Sequence, residues 1–159
     1  MLMDRVFEGH GIRFEYPEDW ILHEQSLPEE ITLTVQSPNS SFWSLTLIMD
    51  RPEPRRVLDA ILDTFREEYS EIDVYPSEVR LCDQPTESCE LDFVCHELIG
   101  SAFLRAVAAP DFTLFVLYQG ADLELDERQP LLEKITRSLM WETDDDDETP
   151  DEPAWRDIV

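Results

Sequence analysis

Apolar and polar residues alternate along Gly11-Ile12-Arg13-Phe14-Glu15-Tyr16, with Ile12, Phe14 and Tyr16 on one side and Arg13 and Glu15 on the other. Pro17 cannot donate to a sheet ladder, so the pattern predicts a half-buried strand that stops there and turns through Glu18-Asp19 into Trp20. Trp20, placed directly after that turn, reads as a core anchor. The period of two recurs in Ile31-Thr32-Leu33-Thr34-Val35 and in Trp43, Leu45, Leu47 and Met49 against Ser44 and Thr46, with Pro38-Asn39-Ser40-Ser41 as the turn between them. After Arg51-Pro52-Glu53-Pro54 the period changes. Val57, Leu58, Ile61, Leu62, Phe65 and Tyr69 share one helical face, and the charged residues Arg55, Arg56, Asp59, Asp63, Arg66 and Glu67 fall elsewhere. Strands return from Val74 to Gln119: Cys89, Leu91, Phe93 and Cys95 share a face opposite Glu90 and Asp92, and the nearly all-apolar runs 102–108 and 112–118 read as central strands. A second helix is predicted from Asp126, capped by that side chain with Gln129 reaching back, with Leu131, Leu132, Ile135 and Leu139 inward and Pro130 early enough to be tolerated.

The order strands, helix, strands, helix predicts an α+β fold, an antiparallel β-sheet flanked by helices on both faces in an α/β/α sandwich. At 159 residues the chain has the length of a single domain that buries a core without metal or disulfide staples. That domain is expected over residues 1–141. The stretch 142–159, with Asp144 to Asp147 and a Pro-flanked remainder, has too little apolar area to offset ordering and is expected to be an acidic disordered C-terminal tail.

The opening strand, ending in an aromatic residue, Pro, a polar pair and Trp, resembles the entry strand of PsbP-like (PsbP/DcrB-related) domains. The likeness extends to Ser44-Leu45-Thr46-Leu47 before the first helix, a hairpin across Ala109-Pro110-Asp111 and a closing helix ending Ile135-Thr136-Arg137-Ser138-Leu139, and covers about residues 6–141. The resemblance implies the α/β/α arrangement. The photosynthetic members are accessory subunits of a large complex and use an N-terminal extension, and none comparable is expected here. Other proteins of this fold resemble secretion chaperones that sheathe apolar helices. No binding residue of the family matches position by position.

Charge changes the picture most. The chain has 37 acidic and 12 basic residues, only one of them Lys, for a net of -25; residues 142–159 hold -8 of this, which leaves -17 on residues 1–141. A field of that sign repels phosphate backbones and anionic leaflets, so the expected partner is a basic or apolar protein or peptide segment, with no nucleic acid and no membrane surface. Met1-Leu2-Met3-Asp4-Arg5 meets charge at once, without the apolar core of a signal peptide, and the expected compartment is the cytoplasm, where Cys82, Cys89 and Cys95 stay reduced. A Cys82–Cys89 bridge would set Leu81 opposite Glu90 and Arg80 opposite Leu91, mixing faces, so all three thiols are expected to be free.

Candidate chemistry is sparse. Strand alternation turns His96 away from Cys89 and Cys95, and there is no Cys-x-x-Cys pair, so no metal site is expected. The sequence has neither a Gly-x-Ser-x-Gly elbow nor a Gly-rich phosphate loop, and His10 and His23 lack partners that spacing can name. The reading is therefore a non-catalytic, small acidic protein-binding domain, adaptor or chaperone-like, without cofactor; the alternative is a hydrolase or small-ligand enzyme built on the same sheet. Candidate partner-binding residues are Phe42, Trp43, Phe103 and Phe115, as the lining of an apolar groove, and Trp155, Ile158 and Val159 at the end of the acidic arm.

Overall fold

The computed structural model describes residues 3–142. The predicted tail lies, beyond Glu142, outside the described residues, and so do Trp155, Ile158 and Val159. In chain order the elements are β1 (Arg5–Gly9), β2 (Ile12–Tyr16), β3 (Ile21–Leu27), β4 (Glu30–Gln36), β5 (Phe42–Ile48), α1 (Pro54–Glu68) and β6 (Ile72–Ser77). There follow β7 (Arg80–Leu81), β8 (Gln84–Pro85), β9 (Glu87–Cys95), β10 (Leu98–Ala108), β11 (Thr113–Ala121), α2 (Asp122–Ser138) and β12 (Met140–Trp141). Seven strands form the main sheet in the order β3-β4-β5-β11-β10-β9-β6, every pair antiparallel. β1, β2 and β12 make a small second sheet, and β7 and β8 a short hairpin. The architecture is α+β and dominated by its sheets.

Strand alternation divides the core in two. Val57, Leu58, Leu62 and Phe65 of α1 pack on Cys89, Leu91, Phe93, Ala102, Leu104, Ala106 and Phe115. The intervening residues of the same strands, Phe103, Val107, Val116 and Tyr118, join Leu33, Val35, Trp43 and Leu45, the small sheet's Ile12, Phe14 and Tyr16, and Leu125, Leu132 and Ile135 of α2. The cover is staggered. α1 packs against β9, β10 and β11, whereas α2 packs against β11, β10, β5 and β2.

The period-2 strands and the α1 face match the sequence pattern, with Ile61 and Tyr69 only partly buried. Other expectations need correction. α2 starts at Asp122, four residues before the predicted cap, and Ala121 is its N-cap without a side-chain bond. Gln129 Nε2 donates forward to Glu133 Oε2 at 3.1 Å and makes no capping box. Pro130 lies inside the helix, where it removes one backbone donor; both Pro130 and Asp126, whose carbonyl loses that donor, are on the exposed side. The physical reason is that α2 runs directly out of β11, its first turn tied to the loop 37–41 by Glu124 rather than by a local cap. β1 and β3 carry no clean alternation, being edge strands with most side chains in solvent.

Trp20 is buried beside the small sheet, its backbone N–H donating to the Pro17 carbonyl at 3.2 Å, as the turn after Pro17 requires. Its indole Nε1 has no acceptor among the described residues. A buried donor left unmade costs about 1–3 kcal/mol, which offsets most of the packing lost with the smaller ring, so Trp20→Phe should change stability by less than about 1 kcal/mol in urea denaturation. A much larger loss would mean that Nε1 is bonded.

Candidate functional site

The sequence grouped Phe42, Trp43, Phe103 and Phe115 as one groove, and the fold separates them. Trp43 and Phe103 are buried in the core cluster beneath α2, Phe115 is buried beneath α1, and Phe42 is half-buried. Strand parity is the cause: Phe103 and Phe115 are on different strands and face opposite sides of the main sheet. They meet core neighbours, as in the Phe103–Tyr118 stack at 4.9 Å and the Phe42-adjacent Trp43 on Phe14 at 4.8 Å.

The stagger of the helices leaves a different surface open. α1 covers one side of β9, and among the described residues no helix packs substantially on the other side, which continues onto β6. Register sets its composition: Asp73 stands opposite Asp92, Tyr75 opposite Glu90, and Val94 opposite Ile99. Tyr75, Val94 and Ile99 are exposed, and so is Leu98 at the β9–β10 turn; Ile99 and Leu98 expose 52% and 63% of their area. The turn itself is the two-residue His96-Glu97, both at positive φ (52° and 68°), the geometry that matches strand twist in a tight hairpin. A depression of about 520 Å³ lies among Glu71, Asp73, Asp92, Phe93, Val94 and Ile99, and an adjoining apolar groove of about 240 Å³ includes Tyr69, Phe93, Leu98 and Ile99.

Gly100 makes room for the packing behind this surface, on the α1 side of β9. The Phe93 ring lies so close over it that an added Cβ would stand 2.8 Å from Cζ. Phe93 thereby fills the α1 side, against Phe65 at 5.6 Å and Tyr69 at 4.5 Å, while its neighbours Asp92 and Val94 turn to the open side.

The electrostatics of the face are one-signed. Asp73 and Asp92 oppose each other across β6–β9, a like-charge arrangement that costs stability, and neither has an ion-pair partner among the described residues. Asp92 accepts a bond from Ser101 Oγ at 2.8 Å. The Tyr75 hydroxyl is pushed above its ordinary pKa, first by the Asp73 charge, then by desolvation and by Asp92. Negative potential and exposed aliphatic area therefore coincide.

The chemistry-bearing side chains named in the sequence do not converge. His10 bonds Glu24 at 2.8 Å beside the first hairpin, and His96 lies in the β9–β10 turn. The three cysteines are free; Cys82 sits in the β7–β8 turn, its thiol pushed up to about 11 by burial, and donates to the Leu139 carbonyl at 3.3 Å. Among the described residues no three His, Cys, Asp or Glu side chains gather in a metal-binding group, and no helix is long and apolar enough to cross a membrane.

No family model matches the chain, and no curated protein matches it. Solved structures do. The cyanobacterial PsbP protein of Synechocystis, CyanoP, aligns with a TM-score of 0.60 at 12% identity over 87% of this chain and 92% of that one. A protein from Bacteroides thetaiotaomicron aligns with a TM-score of 0.60 at 10% identity over 89% of this chain, which spans half the length of that protein. PA94, a Pseudomonas aeruginosa protein of unknown function, aligns at 0.55 and 8% identity over 87% of this chain and 97% of that one. At these identities the likeness is one of fold alone, an α+β fold similar to that of CyanoP.

Proposed function

We propose that the chain is a non-catalytic binding domain, adaptor- or chaperone-like, on a PsbP-like three-layer frame, and that it docks a basic, partly apolar protein segment on the open β6–β9 face. The observation that supports this reading is the unneutralised Asp73–Asp92 pair beside exposed Val94 and Ile99. Repulsion between facing carboxylates is relieved when a Lys or Arg from a partner comes between them, and the aliphatic pair gives that partner's apolar side chains a dry contact. The exposed edge of β6 offers backbone pairing to the same segment, although Pro76 removes one donor from it. Nucleic acid fits poorly, because the face repels phosphate. Among the described residues the histidines are dispersed and the Cys82 thiol is held protonated at neutral pH, which favours binding over the hydrolase alternative.

Titration of the protein with a peptide of alternating Leu and Lys, followed by backbone amide NMR, tests the reading. Shifts should concentrate at residues 72–76, 91–95 and 98–101, and a Leu/Glu peptide should produce none. Asp73→Asn should weaken Leu/Lys binding about tenfold while slightly raising the melting temperature, since it removes a repulsion from the free protein. The charge component should fade as salt shortens the screening length below its physiological value of about 8 Å, and the aliphatic component should persist. Shifts located elsewhere, or equal binding of the Leu/Glu peptide, would reject this face as the docking site.

A further inference from the structure

We propose a second binding site, on the same side of the main sheet as the open face but under α2: the cleft over Arg105 binds a small organic monocarboxylate with an apolar body. Arg105 projects from β10 toward the side that α2 covers, only 3% exposed, and no carboxylate pairs with it among the described residues. Its guanidinium lies 5.8 Å from the Phe103 ring centroid and 5.6 Å from that of Tyr118. Nη1 donates to the Cys89 and Leu104 carbonyls at a long 3.4 Å each, and Nη2 donates to the Tyr118 hydroxyl at 3.2 Å. Nε is buried without an acceptor among the described residues. A buried cation held by two rings and neutral oxygens, with one N–H unmet, is costly unless an anion completes it.

Room for that anion adjoins it. A cleft of about 680 Å³ opens between the β7–β8 hairpin and the C-terminal half of α2, with Arg105 among its walls. That volume is in the range of small-molecule sites. Arg80 and Arg137 line it as well, and the carboxylates Asp83, Glu90 and Glu133 share it. Equal numbers of the two signs admit a single negative charge more readily than a doubly charged phosphate. Leu81, Leu139, Met140 and Trp141 supply apolar walls, so the ligand that fits joins one carboxylate to a hydrocarbon body. In a chain of net -25, a cavity whose charged walls balance is a local exception to the prevailing sign.

Octanoate serves as the probe, with inorganic phosphate and octylammonium as controls, and the Arg105 Nε–H resonance as the readout in the full-length chain. Octanoate should shift that resonance saturably, and the controls should leave it in place. Arg105→Gln should weaken octanoate binding at least tenfold in calorimetry. Because that substitution alters a buried residue, Met140→Glu supplies the parallel test: Met140 is exposed at the cleft, and a carboxylate there should weaken octanoate severalfold with the fold intact. Asp73→Asn, on β6 at the far edge of the same side of the sheet and outside the cleft lining, should leave octanoate affinity unchanged, so failure of either site is seen separately. An unmoved Nε–H at millimolar octanoate, or an equal response to phosphate or octylammonium, would overturn the proposal.

Discussion

Trp43→Ala should destabilise the protein by about 3–5 kcal/mol, a large share of the stability of an ordinary domain. Trp43 is fully buried at the junction of three layers. It projects from β5, meets the Phe14 ring of the small sheet at 4.8 Å, and donates from Nε1 to Thr136 Oγ1 of α2 at 2.9 Å. Removing the indole opens a cavity that none of the three layers can fill alone, since each is pinned by its own ladder or helix bonds. Trp43→Phe retains most of the packing and loses the bond, and Thr136 Oγ1 still donates to the Leu132 carbonyl at 2.9 Å, so its cost should be nearer 1–2 kcal/mol. Urea denaturation measures both, and an unchanged midpoint for Trp43→Ala would contradict the three-layer junction. The contrast with Trp20→Phe isolates the indole bond, because of these two indoles Trp43 has an acceptor among the described residues and Trp20 has none.

The second large effect is expected at Glu124. Its Oε1 accepts from the Ser40 N–H at 2.9 Å and the Ser40 hydroxyl at 2.5 Å; Oε2 accepts from the Ser41 N–H at 3.1 Å and from the Ser41 hydroxyl. Burial by itself pushes this carboxyl upward, but the donors of Ser40 and Ser41 outweigh it and hold the pKa at about 2. The folded pKa lies below the unfolded one, so the stabilisation is complete above about pH 4.5 and is lost as pH falls toward 2. With the side chain 16% exposed, solvent screening reduces the contribution to about 2 kcal/mol. Glu124→Gln turns an amide NH2 toward two donors and should lose about that much at pH 7. The gap between wild type and Glu124→Gln should close as pH approaches 2. A gap that persists there would mean that the substitution acts through packing and not through charge. Glu127→Gln, on the exposed side of the same helix, should show no gap at either pH.

Glu124 also illustrates what spacing along the chain leaves undetermined. A carboxylate in a strongly acidic sequence carries no distinguishing local signal, and the donors of Ser37, Ser40 and Ser41 that hold it come from more than 80 positions away. The predicted cap at Asp126 was chemically reasonable, yet α2 begins where β11 ends because Glu124 anchors its first turn to the loop after β4. The open face was half legible. Alternation placed Asp92 opposite in direction to Leu91 and Phe93, but which strand lies beside β9, and hence that Asp73 faces Asp92, depends on a pairing between distant segments. The aromatic grouping failed for the same reason: hydrophobicity marks Phe103 and Phe115 as buried without assigning them to the two sides of the sheet.

Local pattern by itself determined the strand and helix periods, the face of α1, the turns at Pro17, residues 38–41 and 109–111, the α+β class and the surplus of negative charge, because each depends on neighbouring residues or on composition. Tertiary structure alone decided the strand order, the stagger that leaves β6 and β9 uncovered on one side, and the burial of Arg105. The run 102–108 reads locally as a central strand, which leaves the surroundings of Arg105 unassigned. Only the packing of α2 and the β7–β8 hairpin over its side of the sheet takes the guanidinium out of water and sets the cleft beside it.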